Sequence, residues 1–473
     1  MTVPFGIGSC RLTATRDIPI GAVGLYTSVA LGSDGRPHIS YYDESGGDLR
    51  YAVWDGAAWR VEVVDSEGAV GFYTSLELDT QDNPHISYFD NTNGDLKYAW
   101  RDGFQWSIQT VDAADEVGRY TSLALDAAGN PHISYYDSTN SDLKYARWTG
   151  SGWAVETVDS AEKVGWYTSL DLDTASNPHI SYYDDTNDDL KYAHRDGAHW
   201  IIETVDSSGN VGTYTSLALD ATGTPHISYH RSESGDLRYA TRTDTGWRTQ
   251  RVDRDENVGR YTSLALDAAG SPHISYYDAE NRDLKYARWD GTRWIIEGVD
   301  TNPRRDRGMY ASLALDVADN PHITYYDAVG GDLLYAARTQ SGWSREAVDS
   351  VVGDSFSMSG LLTLVTGQFD TPTTLAGSYW VALCDSTLVI PPSSGEWTAT
   401  WQRDSSASSD TDVPSGADLS DFTLSNLQAV YRAEASSEVA AGHYKPLSLE
   451  HMAEQVLPED WPELLHSIEG DSR

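Results

Sequence analysis

The sequence predicts an all-β protein: a seven-bladed β-propeller of four-stranded antiparallel blades, followed by a small C-terminal α+β appendage. Three observations carry this. The motif Tyr-Thr-Ser begins at Tyr26, Tyr73, Tyr120, Tyr167, Tyr214 and Tyr261, and Tyr-Ala-Ser follows at Tyr310. Successive gaps are 47, 47, 47, 47, 47 and 49 residues, a period that belongs to propellers and solenoids. Within each unit the apolar residues alternate with a period of two, and four such runs are separated by turn residues. No helical period occurs in the unit.

The second unit shows the elements in order. Tyr73-Thr-Ser-Leu-Glu-Leu-Asp79 sets Thr74, Leu76 and Leu78 against Tyr73, Ser75 and Glu77, which is a strand. Gln81-Asp-Asn-Pro84 is turn chemistry, and Pro84 can stand only at a strand's start. His85-Ile-Ser-Tyr-Phe89 is the second strand, rich in aromatic and β-branched residues. Asp90-Asn-Thr-Asn-Gly-Asp95 makes a hairpin loop whose side chains bond nearby amides. Leu96–Trp100 and Trp106–Val111 flank the Asp102-Gly103 turn as strands three and four. Seven such units make a propeller; the Trp-Asp and Gly-His dipeptides of WD40 blades do not fall at their usual places, so the blades belong to another type.

Three regions follow: residues 1–22, residues 23–350 as the propeller, and residues 351–473. Leu12 precedes Tyr26 by the same 14 residues that separate Trp59 from Tyr73, so residues 1–22 are expected to supply a strand that closes the ring and covers a sheet edge. The seventh unit has its own fourth strand in Trp343–Val348, so one of the two must lie outside the standard blade. Beyond Asp349 the period stops. Ser378–Leu383 and Glu396–Trp401 read as strands, 404–412 as a polar linker, and 448–456 and 461–466 as short amphipathic helices broken at Leu457-Pro458. This tail is expected to attach the propeller to a larger assembly or an oligomer. The run Ala376-Gly-Ser-Tyr-Trp-Val-Ala-Leu is faintly similar to small β modules of phage tail proteins.

A formal charge of −39 and a pI near 4.4 exclude nucleic acid and anionic membrane as partners. No run approaches the ~18 apolar residues of a membrane span, and no signal peptide is visible. The compartment is open, with the outside of a cell, its surface or a virion favoured. Cys10 and Cys384 imply no disulfide framework.

Comparison of the units separates scaffold from site. Pro-His recurs seven times, from Pro37-His38 to Pro321-His322. Points so spaced on a ring cannot share one metal ion, so these histidines are expected to be buried and hydrogen-bonded between blades. The hairpins at Asp137–Asp142 and Asp184–Asp189 resemble calcium loops only loosely, and turn stabilisation is the other reading. Asp137, Asp142, Asp184 and Asp189 are the candidates for bound Ca²⁺; no other cofactor is expected. What varies is the residue before each tyrosine: Leu25, Phe72, Arg119, Trp166, Thr213, Arg260 and Met309. It lies at the channel lip, on the face carrying the loops between strands two and three, where binding concentrates. That face is also locally basic. Unit five reads Tyr229-His230-Arg231 in place of Tyr-Tyr-Asp; Arg251, Arg254 and Arg282 follow, and unit seven adds Arg304, Arg305 and Arg307. The candidate ligand residues are Phe72, Arg119, Trp166, Arg231, Arg260 and Arg305, with stacking from the aromatics and anion contacts from the arginines. Local pairing of these arginines with nearby carboxylates is the competing reading.

The half-unit Asp283-Leu-Lys-Tyr-Ala-Arg-Trp-Asp-Gly-Thr-Arg-Trp294 resembles the bacterial and fungal sugar-binding propellers of the fucose-lectin kind. The Pro-His-Ile-Ser-Tyr-Tyr-Asp strand is similar to that of bacterial repeat propellers. The resemblance covers residues 23–350 and implies the fold, with sugars held between blades against tryptophan and charged side chains. Trp54, Trp148 and Trp289 occupy the position concerned, but Arg101, Arg195, Arg242 and Arg338 replace them elsewhere, so it does not imply a full set of seven sites. No nucleophile-base order, phosphate loop or zinc motif is present. The expectation is a non-enzymatic protein that recognises a glycan or protein partner. A glycosidase- or lyase-type enzyme at the channel mouth and a purely structural surface or virion component are the alternatives.

Overall fold

The computed structural model describes residues 10–16, 21–103, 105–350, 357–358, 387–390 and 397–403. Residues 21–350 form seven sheets, each of four consecutive antiparallel strands, in a closed ring: a seven-bladed propeller. Blade three is representative, with Val117–Leu125 innermost, then Pro131–Asp137, Asp142–Trp148 and Trp153–Asp159 at the rim. Second strands are buried along almost their whole length because neighbouring blades cover both sheet faces, and their His, Ser and Asp are buried with the apolar residues. Among the described residues no helix is long and apolar enough to cross a membrane.

The core is seven clusters, one at each seam. At the seam of blades two and three Leu96, Tyr98 and Val111 pack on Val117, Leu123, Ile133 and Tyr135. Polar bonds repeat the same sevenfold plan. Ser75 Oγ accepts from Leu123 N of the next blade at 3.1 Å, and Tyr135 donates its hydroxyl to Asp112 of the previous blade at 2.6 Å. Lys144 reaches the same carboxylate at 2.5 Å. In blade seven Leu334 stands where the other blades carry this cation, and Arg307 supplies the charge, 2.7 Å from Asp300 and 2.8 Å from Asp327.

Each innermost strand is bulged at its tyrosine, whose φ is between 51° and 54° in all seven blades. A left-handed non-glycine residue is uncommon, and its seven-fold recurrence here turns every tyrosine toward the central channel. The glycine two residues earlier has a packing cause: at Gly118, φ is +112° and a Cβ would lie 2.8 Å from Leu96 Cα of the preceding blade.

The ring closes without a shared strand. Blade seven is completed by Gly342–Asp349, and blades seven and one meet through Thr27–Thr324 at 2.9 Å, Val29 N–Ser312 at 3.1 Å and Tyr41–Asp349 at 2.6 Å. Cys10–Arg16, expected to close the ring, pairs instead with Ser357–Met358 and Trp397–Arg403, and the latter also pairs with Thr387–Ile390. The physical reason is that the seventh repeat already fills its own edge. The expected strand at 378–383, the linker at 404–412 and both terminal helices lie outside the described residues.

Candidate functional site

The invariant residues are absorbed by the scaffold. Each repeat histidine bonds through Nδ1 to the tyrosine 13 residues on, as in His132–Tyr145 at 2.5 Å. Partner and histidine belong to the same blade, so the expected bond between blades is corrected: strands two and three of one sheet place them side by side. Nε2 lies 3.8 Å from Asp126, yet burial holds His132 below the ordinary histidine range, and takes His38 down to about 4.

The channel is lined by the seven bulged tyrosines. Neighbouring rings lie 4.6–4.7 Å apart all the way round, from Tyr26–Tyr73 to Tyr310–Tyr26. Burial drives the hydroxyls of Tyr167 and Tyr310 well above the ordinary tyrosine range. Four residues further along each strand, five blades carry alanine, but blades two and four carry Glu77 and Asp171. Asp171 accepts from Leu172 N at 2.7 Å and from Leu219 N of blade five at 2.8 Å. Glu77 has no hydrogen-bond or ion-pair partner among the described residues. Burial, and then the charge of Asp171, pushes its carboxyl up to about 8. Sequence reading passed over this pair as ordinary strand residues; its one signal was the departure from five alanines.

Of the residues chosen from sequence, three are lip residues stacked on the preceding blade. Phe72 lies 4.1 Å from Tyr42, Arg119 sits 5.5 Å over Phe89, and Trp166 is 5.7 Å from Tyr136. Arg260 lies beside buried His230, lowering it to about 3 after burial itself. The basic sector is largely neutralised where it stands: Arg231 pairs with Glu233 at 2.9 Å, Arg251 with Asp236 at 2.7 Å and Arg305 with Asp327 at 3.7 Å. Arg231 and Arg260 come together around blade five; Phe72, Arg119, Trp166 and Arg305 are spread around the lip.

The acidic hairpins are internally bonded. Asp137 accepts from Asn140 N at 3.0 Å and Asn140 Nδ2 at 2.9 Å, and Asp184 from Thr186 N and Asn187 N at 3.1 Å. Asp142 and Asp189 face them across the ladder and are raised by burial and by that facing charge. Among the described residues no group of three or more His, Cys, Asp or Glu is placed to hold a metal ion.

A cleft of about 650 Å³ opens on the opposite face, at the seam of blades three and four. Trp148, Tyr145, Arg147 and His132 come from blade three, and Asn177, Pro178 and Arg195 from blade four. The alternation of tryptophan and arginine at its wall has a structural cause. Wherever the position carries arginine, the fourth strand of the preceding blade carries a partner glutamate: Arg101–Glu62, Arg195–Glu156, Arg242–Glu203 and Arg338–Glu297. Arg195 is bidentate, with bonds of 2.7 and 3.3 Å. Where the position carries Trp148, that glutamate is replaced by Gln109, which accepts from Trp153 Nε1 at 3.3 Å.

No protein-family model and no curated protein matches the chain. Among solved structures it is similar to an ulvan lyase (TM-score 0.48, 13% identity, covering 72% of this chain and 97% of that one). It is also similar to an arginine-to-alanine triple mutant of AofleA from Arthrobotrys oligospora (0.44, 14%, 60% and 88%) and to a Hadza microbial sialidase (0.40, 14%, 64% and 77%).

Proposed function

We propose that the protein is a non-enzymatic recognition propeller whose ligand is a glycan held in the cleft between blades three and four. The observation that carries this reading is the cleft's composition. Trp148 and Tyr145 line about 650 Å³ of concave space together with guanidinium, amide and imidazole groups. Sugar rings present apolar C–H faces and a rim of hydroxyls, and a site with one aromatic wall and several convergent polar groups suits both. The inter-blade position agrees with what the resemblance to sugar-binding propellers implies. Trp148→Ala should abolish binding on a glycan array without changing the fold by circular dichroism, while Trp166→Ala on the other face should not. Unchanged binding by Trp148→Ala would sink the reading.

One observation favours the enzyme alternative. Glu77 and Asp171 are two carboxylates in one channel, both raised by burial, but two backbone amides oppose the rise at Asp171 and nothing comparable does at Glu77. A pair held to different degrees in this way is the arrangement from which an acid and a base could be drawn. Release of reducing ends from any arrayed glycan, lost in Glu77→Ala, would establish it over the binding role.

A further inference from the structure

We propose that the ligand of the cleft is an anionic saccharide, bearing carboxylate or sulfate, and that the protein binds two of them, the second at the seam of blades six and seven. The inference rests on the glycan reading and adds the charge and number of the ligands.

Two observations carry it. First, Arg147 is exposed at the cleft and has no carboxylate partner among the described residues. On this chain of net charge −39, Arg60 at the start of strand four pairs with Asp55 at 2.6 Å, and Arg293 on the turn after strand three pairs with Asp290 at 3.6 Å. A solvent-facing guanidinium left without a local carboxylate in a concave cleft is placed for a charge-assisted, bidentate bond to an anionic ligand group.

Second, the arrangement occurs twice. The doublet Arg-Trp ends strand three in blade three, as Arg147-Trp148, and in blade six, as Arg288-Trp289, and in no other blade. Arg147 faces His132 across the ladder, and Arg288 faces His273. Trp148 packs on Trp153 with ring centroids 5.6 Å apart at 69°, and Trp289 on Trp294 at 5.6 Å and 65°. The far wall is duplicated too, with Arg195 held by Glu156 and Arg338 held by Glu297. Arg288 is likewise exposed and has no carboxylate partner among the described residues. The third tryptophan seam, at blades one and two, is a built-in contrast. Trp54 packs on Trp59 at 5.5 Å, but Val53 replaces the free arginine. Two such seams, three blades apart in a ring of seven, would suit a repeating acidic polymer or a dense acidic surface, where linkage raises avidity.

The test is titration calorimetry of the full chain with three tetrasaccharides: a uronate, a sulfated galactan and a neutral galactan. The expected result is two equivalent sites for one of the acidic ligands, and affinity for the neutral one weaker by about tenfold or more, the scale of a lost charge-assisted bond. The acidic ligand that binds identifies the group as carboxylate or sulfate. Arg147→Ala should leave one site, and Arg147→Ala/Arg288→Ala should leave none above the neutral level. Equal affinity for neutral and acidic ligands, or a single site lost with Arg147→Ala alone, overturns this inference and leaves the glycan reading standing. Failure of all three, and of the glycan array, overturns both.

Discussion

Glu77 makes the propeller's stability depend on pH in a way that can be worked out beforehand. Its carboxyl is pushed from the ordinary 4.5 up to about 8, first by burial and then by the charge of Asp171. A raised folded value means that ionisation is disfavoured in the native state. Below pH 4.5 the group is protonated both folded and unfolded and costs nothing. Between pH 4.5 and 8 the unfolded chain gives up its proton and the folded one does not, so stability falls; above pH 8 the loss is complete. At 1.36 kcal/mol per pH unit the ceiling is about 5 kcal/mol, and water in the channel reduces this to roughly 1–3 kcal/mol. Glu77→Ala installs the residue that five other blades carry at this position. Chemical denaturation midpoints at pH 4.5, 7 and 9 should therefore converge for the two proteins in acid, and the variant should be the more stable by that amount in base. Parallel pH profiles for wild type and variant would refute the argument, because they would place the carboxyl in ordinary solvent.

Other outcomes follow from the seams. Ala311→Thr should stabilise by about 1 kcal/mol in the same assay: six blades use threonine there to donate to a neighbouring hydroxyl, and Ser275 Oγ is left without a partner by the alanine. Arg307→Ala should destabilise by roughly 2–3 kcal/mol by leaving Asp300 without a cation and Asp327 with only Arg305 at 3.7 Å, and Leu334→Lys in the same background should restore much of the loss. Residues 21–350 expressed alone should unfold with the midpoint of the full chain, measured by scanning calorimetry, since the ring closes on its own side chains. Calcium should bind the hairpins at Asp137 and Asp184 no more tightly than about millimolar by calorimetry, as their oxygens already serve the turns.

The propeller was legible because its determinants are local and repeated. A period-two run, an Asx-rich hairpin and a proline at a strand start report on their own few residues, and seven copies make the pattern unmistakable. The Arg/Trp alternation at strand three was visible too, but its cause was not: Arg195 and Glu156 are 39 residues apart in sequence, and only the ring brings them within 2.7 Å. The closing strand failed for a related reason. The spacing of Leu12 from Tyr26 matches the repeat, yet spacing cannot say which edge is already occupied, and Gly342–Asp349 occupies it. The same distinction bears on where to look for function. A position that varies in sequence can vary because its partner varies with it, as Arg101, Arg195, Arg242 and Arg338 do with their four glutamates, and such a position is scaffold. Arg147 and Arg288 are exposed and have no carboxylate partner among the described residues. Blades three and six are near-copies over residues 117–148 and 258–289, which differ at four positions, so shared repeat sequence accounts for the recurrence by itself, and loss of acidic-saccharide binding in Arg147→Ala and Arg288→Ala is what would add a ligand to that account.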